Sequence, residues 1–461
     1  MNIDILVAEI GSTTTMVNAF FGLEGPHPRY IGQGAAPTTV EDGDVRIGLD
    51  RAVEELRRGL GVDRLTWDRF FATSSAAGGL RMTVHGLAYD MTVRAGREAA
   101  LGAGANLHHV TAGKLRKSDL KKIADIRPNI ILLAGGVDYG ERETALHNAE
   151  LISEMMKETQ LFIPVIYAGN IVNQDEVREL FSENGHRLYV TENVYPRIDE
   201  LNIEPTRAVI QEVFEEHITG GPGMEGIRER VDGPVIPTPG AVLLAAKALQ
   251  REIGDLCVID VGGATTDIHS VTVGSEAVNR ILIAPEPTAK RTVEGDLGTY
   301  VNRRNIFRDK NIEQAADELG WNTEQFKTTI EELPPIPHTA DEIALAEKLT
   351  ESAALQAMVR HAGHFRSLYG PEGKREIAEG KDLTALKFII ATGGALTRLP
   401  GGEGILDRVL KKMPPNSLRP PGTVMPGFDR RYVMASLGVL GIEYPEAAVK
   451  LLQESIWPDR R

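Results

Sequence analysis

The sequence predicts an α/β protein assembled from two halves of similar design. Glu9-Ile10-Gly11-Ser12-Thr13-Thr14 and Asp260-Val261-Gly262-Gly263-Ala264-Thr265-Thr266 repeat one pattern: an apolar strand ending in a carboxylate, then glycine, then hydroxyls. In addition, 47 glycines and an aromatic content of 5% suit close helix-on-strand packing better than a β-sandwich. A second echo pairs Leu133-Ala134-Gly135-Gly136 with Ala391-Thr392-Gly393-Gly394, which would suit a duplicated fold, with chance recurrence of a common apolar-Gly-Gly strand end as the alternative. The 461 residues, 42% of them hydrophobic, can bury several cores, and a chain of this length suggests about two to four domains.

The first elements read as a strand over 3–9, a tight turn over 11–14, a strand over 16–21 and a third strand near 30–35. Helical spacing of apolar residues from Val45 to Leu56 follows, stopped by Gly59 and Gly61. From Ala76 to about Val194 short apolar strands (80–84, 107–110, 130–134, 163–168, 187–191) alternate with amphipathic stretches, which implies parallel strands joined by helical crossovers. Turn residues at Gly220-Gly221-Pro222-Gly223 and from Pro234 to Gly240 mark a boundary. Beyond it a helix is expected over 241–250 and a strand over 256–261. A long helix follows from Ala340 to about Phe365, after the Pro334-Pro335-Ile336-Pro337 loop, then a strand over 388–391 and a helix after Arg431.

Charge and composition remove several functional classes. Against 65 acidic residues stand 51 basic ones, a net charge of −14, and no stretch gathers the positive charge that a phosphate backbone demands. The run Lys114, Arg116, Lys117, Lys121, Lys122 reads as the solvated face of a helix. The N-terminus has no charged-then-apolar leader and no apolar run approaches the ~18 to 20 residues of a bilayer span, so a cytoplasmic location is expected. The single cysteine, Cys257, excludes internal disulfides and CxxC metal sites and reads as a core thiol. There is no GxxxxGK[ST] loop, HExxH or GxSxG, and Gly102-Ala103-Gly104 ends a helix where a dinucleotide fingerprint would begin one. His361 and His364 are placed on one helix face without a third metal ligand.

The paired Gly/Thr turns are the chemistry-bearing feature. Only glycine turns with small neighbours let backbone N–H groups approach the oxygens of a nucleotide triphosphate, and two such turns can grip it from opposite sides. Candidate ATP contacts are Gly11, Ser12, Thr13 and Thr14 on one turn and Gly262, Gly263, Ala264, Thr265 and Thr266 on the other. Glu9 and Asp260 are the candidate catalytic carboxylates, holding Mg²⁺ through its waters or orienting the attacking water. For either turn alone, an ordinary hairpin remains the alternative.

A third stretch, Phe388 to Thr397, resembles the adenosine-contacting motif of the actin, heat-shock 70 and sugar-kinase superfamily, with Gly393, Gly394 and Ala395 beside the base and ribose. Longer stretches resemble the glutamate mutase accessory (MutL/GlmL) family, unrelated to mismatch-repair MutL. They are Ala8 to Thr15, Thr73 to Met82, Ile131 to Gly136, Tyr189 to Val194, Pro237-Thr238-Pro239, Asp260 to Asp267 and Arg291 to Gly298.

The resemblance implies a two-lobed actin-like ATPase (ribonuclease H-like) fold with an additional Rossmann-like α/β region. On that reading 1–75 begin the first lobe, 76–235 are an insertion or an enlargement of it, and 236–461 form the second lobe. The implied function is an ATP-hydrolysing reactivating factor for an adenosylcobalamin-dependent mutase or aminomutase, of glutamate mutase or ornithine aminomutase type, that promotes exchange of damaged cobalamin. Mutase subunits are the implied partner, cobalamin is not expected to bind the chain itself, and oligomeric state is left open. Arg291 to Asp296 line the cleft or form a surface turn.

Two alternatives stay open: a small-molecule kinase, with Asp267 as nearest candidate base or as a turn cap, and an actin-like polymerising protein. Iron–sulfur dehydratase activators on the same scaffold are disfavoured because Cys257 sits within a strand.

Overall fold

In the computed structural model the described residues are 1–39, 43–75, 80–103, 105–198, 200–219, 224–283, 286–307, 312–370 and 373–458. The Gly220–Gly223 boundary, Ala76 to Gly79 of the family-like run, and Gly104 lie outside them. In chain order the strands are β1 (Asn2–Ile10), β2 (Thr14–Phe21), β3 (Arg29–Pro37), β4 (Thr66–Ser74), β5 (Leu80–Gly86), β6 (Ala105–Ala112), β7 (Ile130–Leu133), β8 (Val165–Tyr167) and β9 (Leu188–Val190). They continue with β10 (Ile236–Pro237), β11 (Leu256–Val261), β12 (Thr266–Val271), β13 (Ala289–Glu294), β14 (His364–Gly370), β15 (Gly373–Glu379), β16 (Phe388–Thr392) and β17 (Met425–Phe428).

The chain divides into two compact units. The first comprises Met1–Gly78, Thr219–Thr292 and Asp296–Arg461, and contains two mixed sheets of the same design. One runs β10-β4-β1-β2-β3 and the other β17-β16-β11-β12-β13. In each, a long strand pairs antiparallel with the hairpin partner that follows it and parallel with a later strand on its other side. The register repeats as well: Glu9 lies opposite Thr73, and Asp260 opposite Thr392. This doubled mixed sheet is the actin-like arrangement expected from the sequence.

The second echo is corrected by this topology. The counterpart of β16 in the first half is β4, whereas Leu133-Ala134-Gly135-Gly136 ends β7 in the other unit. β4 escaped notice because its first half, Thr66-Trp67-Asp68-Arg69, is polar and partly exposed, and only Phe70 to Ser74 are buried.

Each sheet needs cover on both faces, and apolar helices supply it. The helix Thr238–Ile253 buries Ala241, Val242, Ala245, Ala246 and Leu249 in one core with Val258, Ile390, Met434 and Leu437. It meets the helix Met434–Leu440 at backbone distance: a methyl on Gly438 would sit 1.9 Å from the carbonyl oxygen of Ala241. The helix Ala340–His361, opened by a Thr339/Glu342 capping box, covers the opposite face of the second sheet. It stops at His361, earlier than the expected Phe365, because Gly363 passes within 2.4 Å (measured from its would-be methyl) of the Glu379 carbonyl and turns the chain into β14. His361 bonds Thr292 and Ser270 while His364 lies on β14, so the two histidines do not share a helix face. Cys257 is fully buried on β11, its thiol pushed up to about 12 by burial.

The second unit, Gly79–Ile218 with Val293–Gly295, holds the all-parallel sheet β6-β5-β7-β8-β9. Its central strand β7 is buried along its whole length, as a strand covered on both faces must be. Among the described residues no helix is long and apolar enough to cross a membrane.

Candidate functional site

The two Gly/Thr turns have one construction. In the first, the N–H of Gly11 donates to the carbonyl of Thr14 (3.0 Å); in the second, the N–H of Gly262 donates to that of Thr265 (2.9 Å). A side chain at Gly11 would put a carbon 2.6 Å from the Thr14 oxygen, which is why glycine opens the turn. The carbonyls of the second turn are drawn outward: Gly262 accepts from Thr299, Gly263 from Tyr300 and Val301, and Ala264 from the Asn302 side chain. Among the described residues the N–H groups of Ser12, Thr13, Gly263 and Ala264 have no protein acceptor. The turns also touch, since a methyl on Gly263 would lie 2.9 Å from Cγ2 of Thr13.

Both turns line a cavity of about 710 Å³ within the first unit, a size suited to a nucleotide-sized ligand. Glu9 and Asp260, at the ends of β1 and β11, face into it, and Asp267 joins them directly across the β11–β12 ladder from Asp260. Burial, with Asp260 and Asp429 close by, pushes the Glu9 carboxyl up to about 8, although a hydrogen bond from Tyr432 works the other way. Asp260 is likewise raised, by burial first and then by the negative charge of Asp429. A cavity that strains two carboxylates, Glu9 and Asp260, toward the neutral form is one in which a cation is favoured.

Asp429 was not singled out by sequence. It lies behind the cavity wall, where its carboxylate accepts from Thr392, Ser455 and the N–H groups of Val433 and Met434, tying β16 to the start of the helix Met434–Leu440. Three residues on, Tyr432 adopts a left-handed backbone (φ 52°) and donates its phenol to Oε1 of Glu9 at 2.7 Å. Gln33 donates to the carbonyl of Arg431 and to Asn18, and accepts from Arg398, so the same segment is stitched to the first sheet.

Part of the lining is apolar. Leu333, Pro334, Pro335, Ile336 and Pro337 line the cavity together with Gly394, Ala395, Leu399 and Pro400, so the third glycine motif reaches the same cavity as the two turns. Gly393 itself stands behind the wall at φ 84°, where a methyl would sit 2.5 Å from a carboxylate oxygen of Asp260. Thr266 is also behind the wall, its hydroxyl donating to the Leu297 carbonyl. Ser12 lines the cavity but spends its hydroxyl on the carbonyl of Ser75. Arg291 to Asp296 do not line it, and Thr292, Glu294 and Asp296 are buried, with Asp296 held by a two-pronged pair to Arg360. Tyr432 left no local signal, since it meets Glu9 only through long-range folding.

The comparisons with known proteins agree with the motifs. The model of the MutL protein family matches residues 5–456. Protein MutL of Clostridium tetanomorphum is 34% identical over 461 residues, spanning 97% of this chain and 98% of its own length. Among solved structures, the nucleotide-free diol dehydratase-reactivating factor overlays at a TM-score of 0.34 and 12% identity, covering 95% of this chain and 99% of that one. Component A of (R)-2-hydroxyglutaryl-CoA dehydratase from Acidaminococcus fermentans overlays at 0.32 and 8%, covering 97% and 99%. With the family's pattern matched from end to end, this chain belongs to the MutL family of glutamate mutase accessory proteins.

Proposed function

We propose that the chain binds ATP in the 710 Å³ cavity, hydrolyses it slowly, and uses the cycle to reactivate an adenosylcobalamin-dependent mutase or aminomutase of glutamate mutase or ornithine aminomutase type. The observation that carries the ATP reading is the contact between Thr13 and Gly263, which sets two turns with unpaired N–H groups against each other over buried carboxylates. Backbone N–H groups so arranged form anion-binding concavities. The apolar wall of Leu333 to Pro337 and Gly394-Ala395 suits a purine.

Among the described residues no group of three or more His, Cys, Asp or Glu side chains could hold a metal by itself. Magnesium asks for less: it keeps several waters and takes one or two carboxylates together with phosphate oxygens. Glu9 and Asp260 supply those, and bound magnesium would offset charge on the triphosphate. Asp260 or Asp267 orients the attacking water, while Tyr432 fixes the Glu9 carboxylate by its hydrogen bond. Residues 76–235 are read as a Rossmann-like insertion or an enlargement of the first lobe, presenting surface to the client.

The test is calorimetry with ATP, ADP and magnesium, followed by a reactivation assay with purified mutase carrying damaged cobalamin. Tight ATP binding and ATP-dependent recovery of mutase activity are expected. A chain that binds no nucleotide, or a mutase that recovers equally without it, overturns the proposal. Transfer of phosphate to a small hydroxyl compound would instead favour the kinase reading, for which Asp267 in the cavity wall is the relevant carboxylate.

A further inference from the structure

In the all-parallel sheet of the second unit every strand ends at one edge, and three loops leaving that edge are bonded to one another. The carboxylate of Asp138, after β7, accepts from the N–H of Ile171, after β8 (2.9 Å), and from the side chain of Asn193, after β9 (2.9 Å). The N–H of Asp138 donates to the carbonyl of Pro196 (2.9 Å), and Asn170 accepts from the N–H groups of Tyr139 and Val172 (both 3.1 Å). What this bracing displays is apolar: Tyr139 is 82% exposed and Ile198 72%, with Ile171, Val172 and Leu201 also in water.

Scattered apolar residues on a surface need no explanation, but five on three mutually bonded loops form a patch. Tyr139 is moreover held at φ 62°, a left-handed conformation that a bulky residue rarely adopts. The fold therefore spends strain on keeping an aromatic ring outward.

The charges around the patch choose its occupant. Arg142, Arg178 and Arg197 are paired with Glu176, Asp175 and Glu200. Glu141, Glu143 and Glu192 are exposed and add carboxylates that no basic side chain offsets among the described residues. The starts of the helices Glu143–Thr159 and Gln174–Glu183 already carry Glu143, Asp175 and Glu176 in their first turns. An acidic rim repels nucleic acid and anionic lipid. It also disfavours pairing with the same face of a second copy, which would set carboxylates against carboxylates.

We infer that this edge is a docking face for a protein partner that is apolar at its centre and rich in Lys and Arg at its rim, and, resting on the accessory role proposed above, that the partner is the client mutase. Loops at the carboxyl edge of a parallel sheet are where such folds place their contacts.

The experiment titrates purified glutamate mutase subunits onto the immobilised full-length chain, unaltered and as Tyr139→Asn/Ile198→Asp. Asparagine tolerates the left-handed backbone, so the loop is preserved. Nucleotide affinity and melting temperature report that the variant is folded. The expected result is a rise in Kd of about 30-fold or more, as for loss of a central anchor, with binding by the unaltered chain weakening as salt is raised. A Glu141→Lys/Glu192→Lys variant should weaken binding through a slower on-rate. Equal binding by the unaltered chain and both variants overturns the face while leaving the accessory role standing. If the unaltered chain binds ATP but no mutase, the accessory reading and the occupant fall together. Concentration-dependent dimers dissolved by Tyr139→Asn/Ile198→Asp overturn the occupant in favour of a second copy.

Discussion

Gly263→Ala is the sharpest probe of the double-turn cradle, because its effect is worked from one contact. The new methyl would sit 2.9 Å from Cγ2 and 3.1 Å from Oγ1 of Thr13, inside the approach that carbon atoms tolerate, so the Thr13 side chain or the turn that carries it must shift. Small-to-large changes in tight packing cost about 1–3 kcal/mol in stability. A charge-assisted hydrogen bond from a displaced N–H to a phosphate oxygen is worth about 1.5–3 kcal/mol, so ATP affinity should fall roughly 10- to 100-fold. Calorimetry measures the affinity and a thermal melt the stability. Thr13→Ser removes the offending Cγ2, so Thr13→Ser/Gly263→Ala should recover at least about 1 kcal/mol of binding beyond the sum of the single effects. Unchanged affinity in Gly263→Ala, or strict additivity in the cycle, would refute the contact as the gauge of the cradle.

Three further outcomes follow from the carboxylates. Asp260→Asn keeps the shape of a buried group already pushed toward neutrality, so the variant should melt at or above the unaltered chain while phosphate release stops; undiminished release removes Asp260 from the chemistry. Glu9, whose carboxyl stands at about 8 in the fold against an ordinary value of 4.5, holds a proton between those limits that the unfolded chain has lost. Stability therefore falls as pH rises from ~4.5 to ~8, by up to about 1.4 kcal/mol per unit from this group. The melting temperature of the nucleotide-free chain should drop between pH 5.5 and 8.5, and Glu9→Gln should flatten the drop; equal slopes would show that Glu9 is not the group responsible. Tyr432→Phe leaves Glu9 without its 2.7 Å donor and should cost about 1–3 kcal/mol at pH 8, with a smaller loss at pH 5.5, read by denaturant unfolding at the two pH values; equal losses would deny that the phenol steadies the ionised carboxylate.

The two turns were legible in the sequence because their chemistry is local: the bond that closes each spans three residues, and the glycine it requires sits beside the carboxylate that ends the strand. What surrounds Glu9 was not, for a physical reason. Tyr432 carries no periodic or turn signal, and it becomes a neighbour of Glu9 only when a loop 423 residues away in sequence folds against β1. Asp429 illustrates the same limit, since an aspartate that joins Thr392, Ser455 and a helix start looks like any other until those partners converge.

The mistaken pairing of Gly135-Gly136 with Gly393-Gly394 shows where a shared sequence sign has a shared cause but no shared place. Gly136 (φ 68°) and Gly393 (φ 84°) both end a buried parallel strand in a left-handed turn. A methyl would meet the Glu141 carbonyl at 2.2 Å in the first and the Val261 carbonyl at 2.4 Å in the second. Glycine is required at both by backbone passing backbone, which any tightly crossed parallel strand imposes. The true relation between the halves is carried instead by register, with a threonine facing the acidic strand end in each sheet: Thr73 by Glu9 and Thr392 by Asp260. Thr73 bonds Thr238 at the start of one central helix, and Thr392 bonds Asp429 ahead of the other, so both strand ends are linked to the helices that meet at Gly438 and Ala241. A change in either acidic strand end thus has a hydrogen-bonded route to that helix crossing.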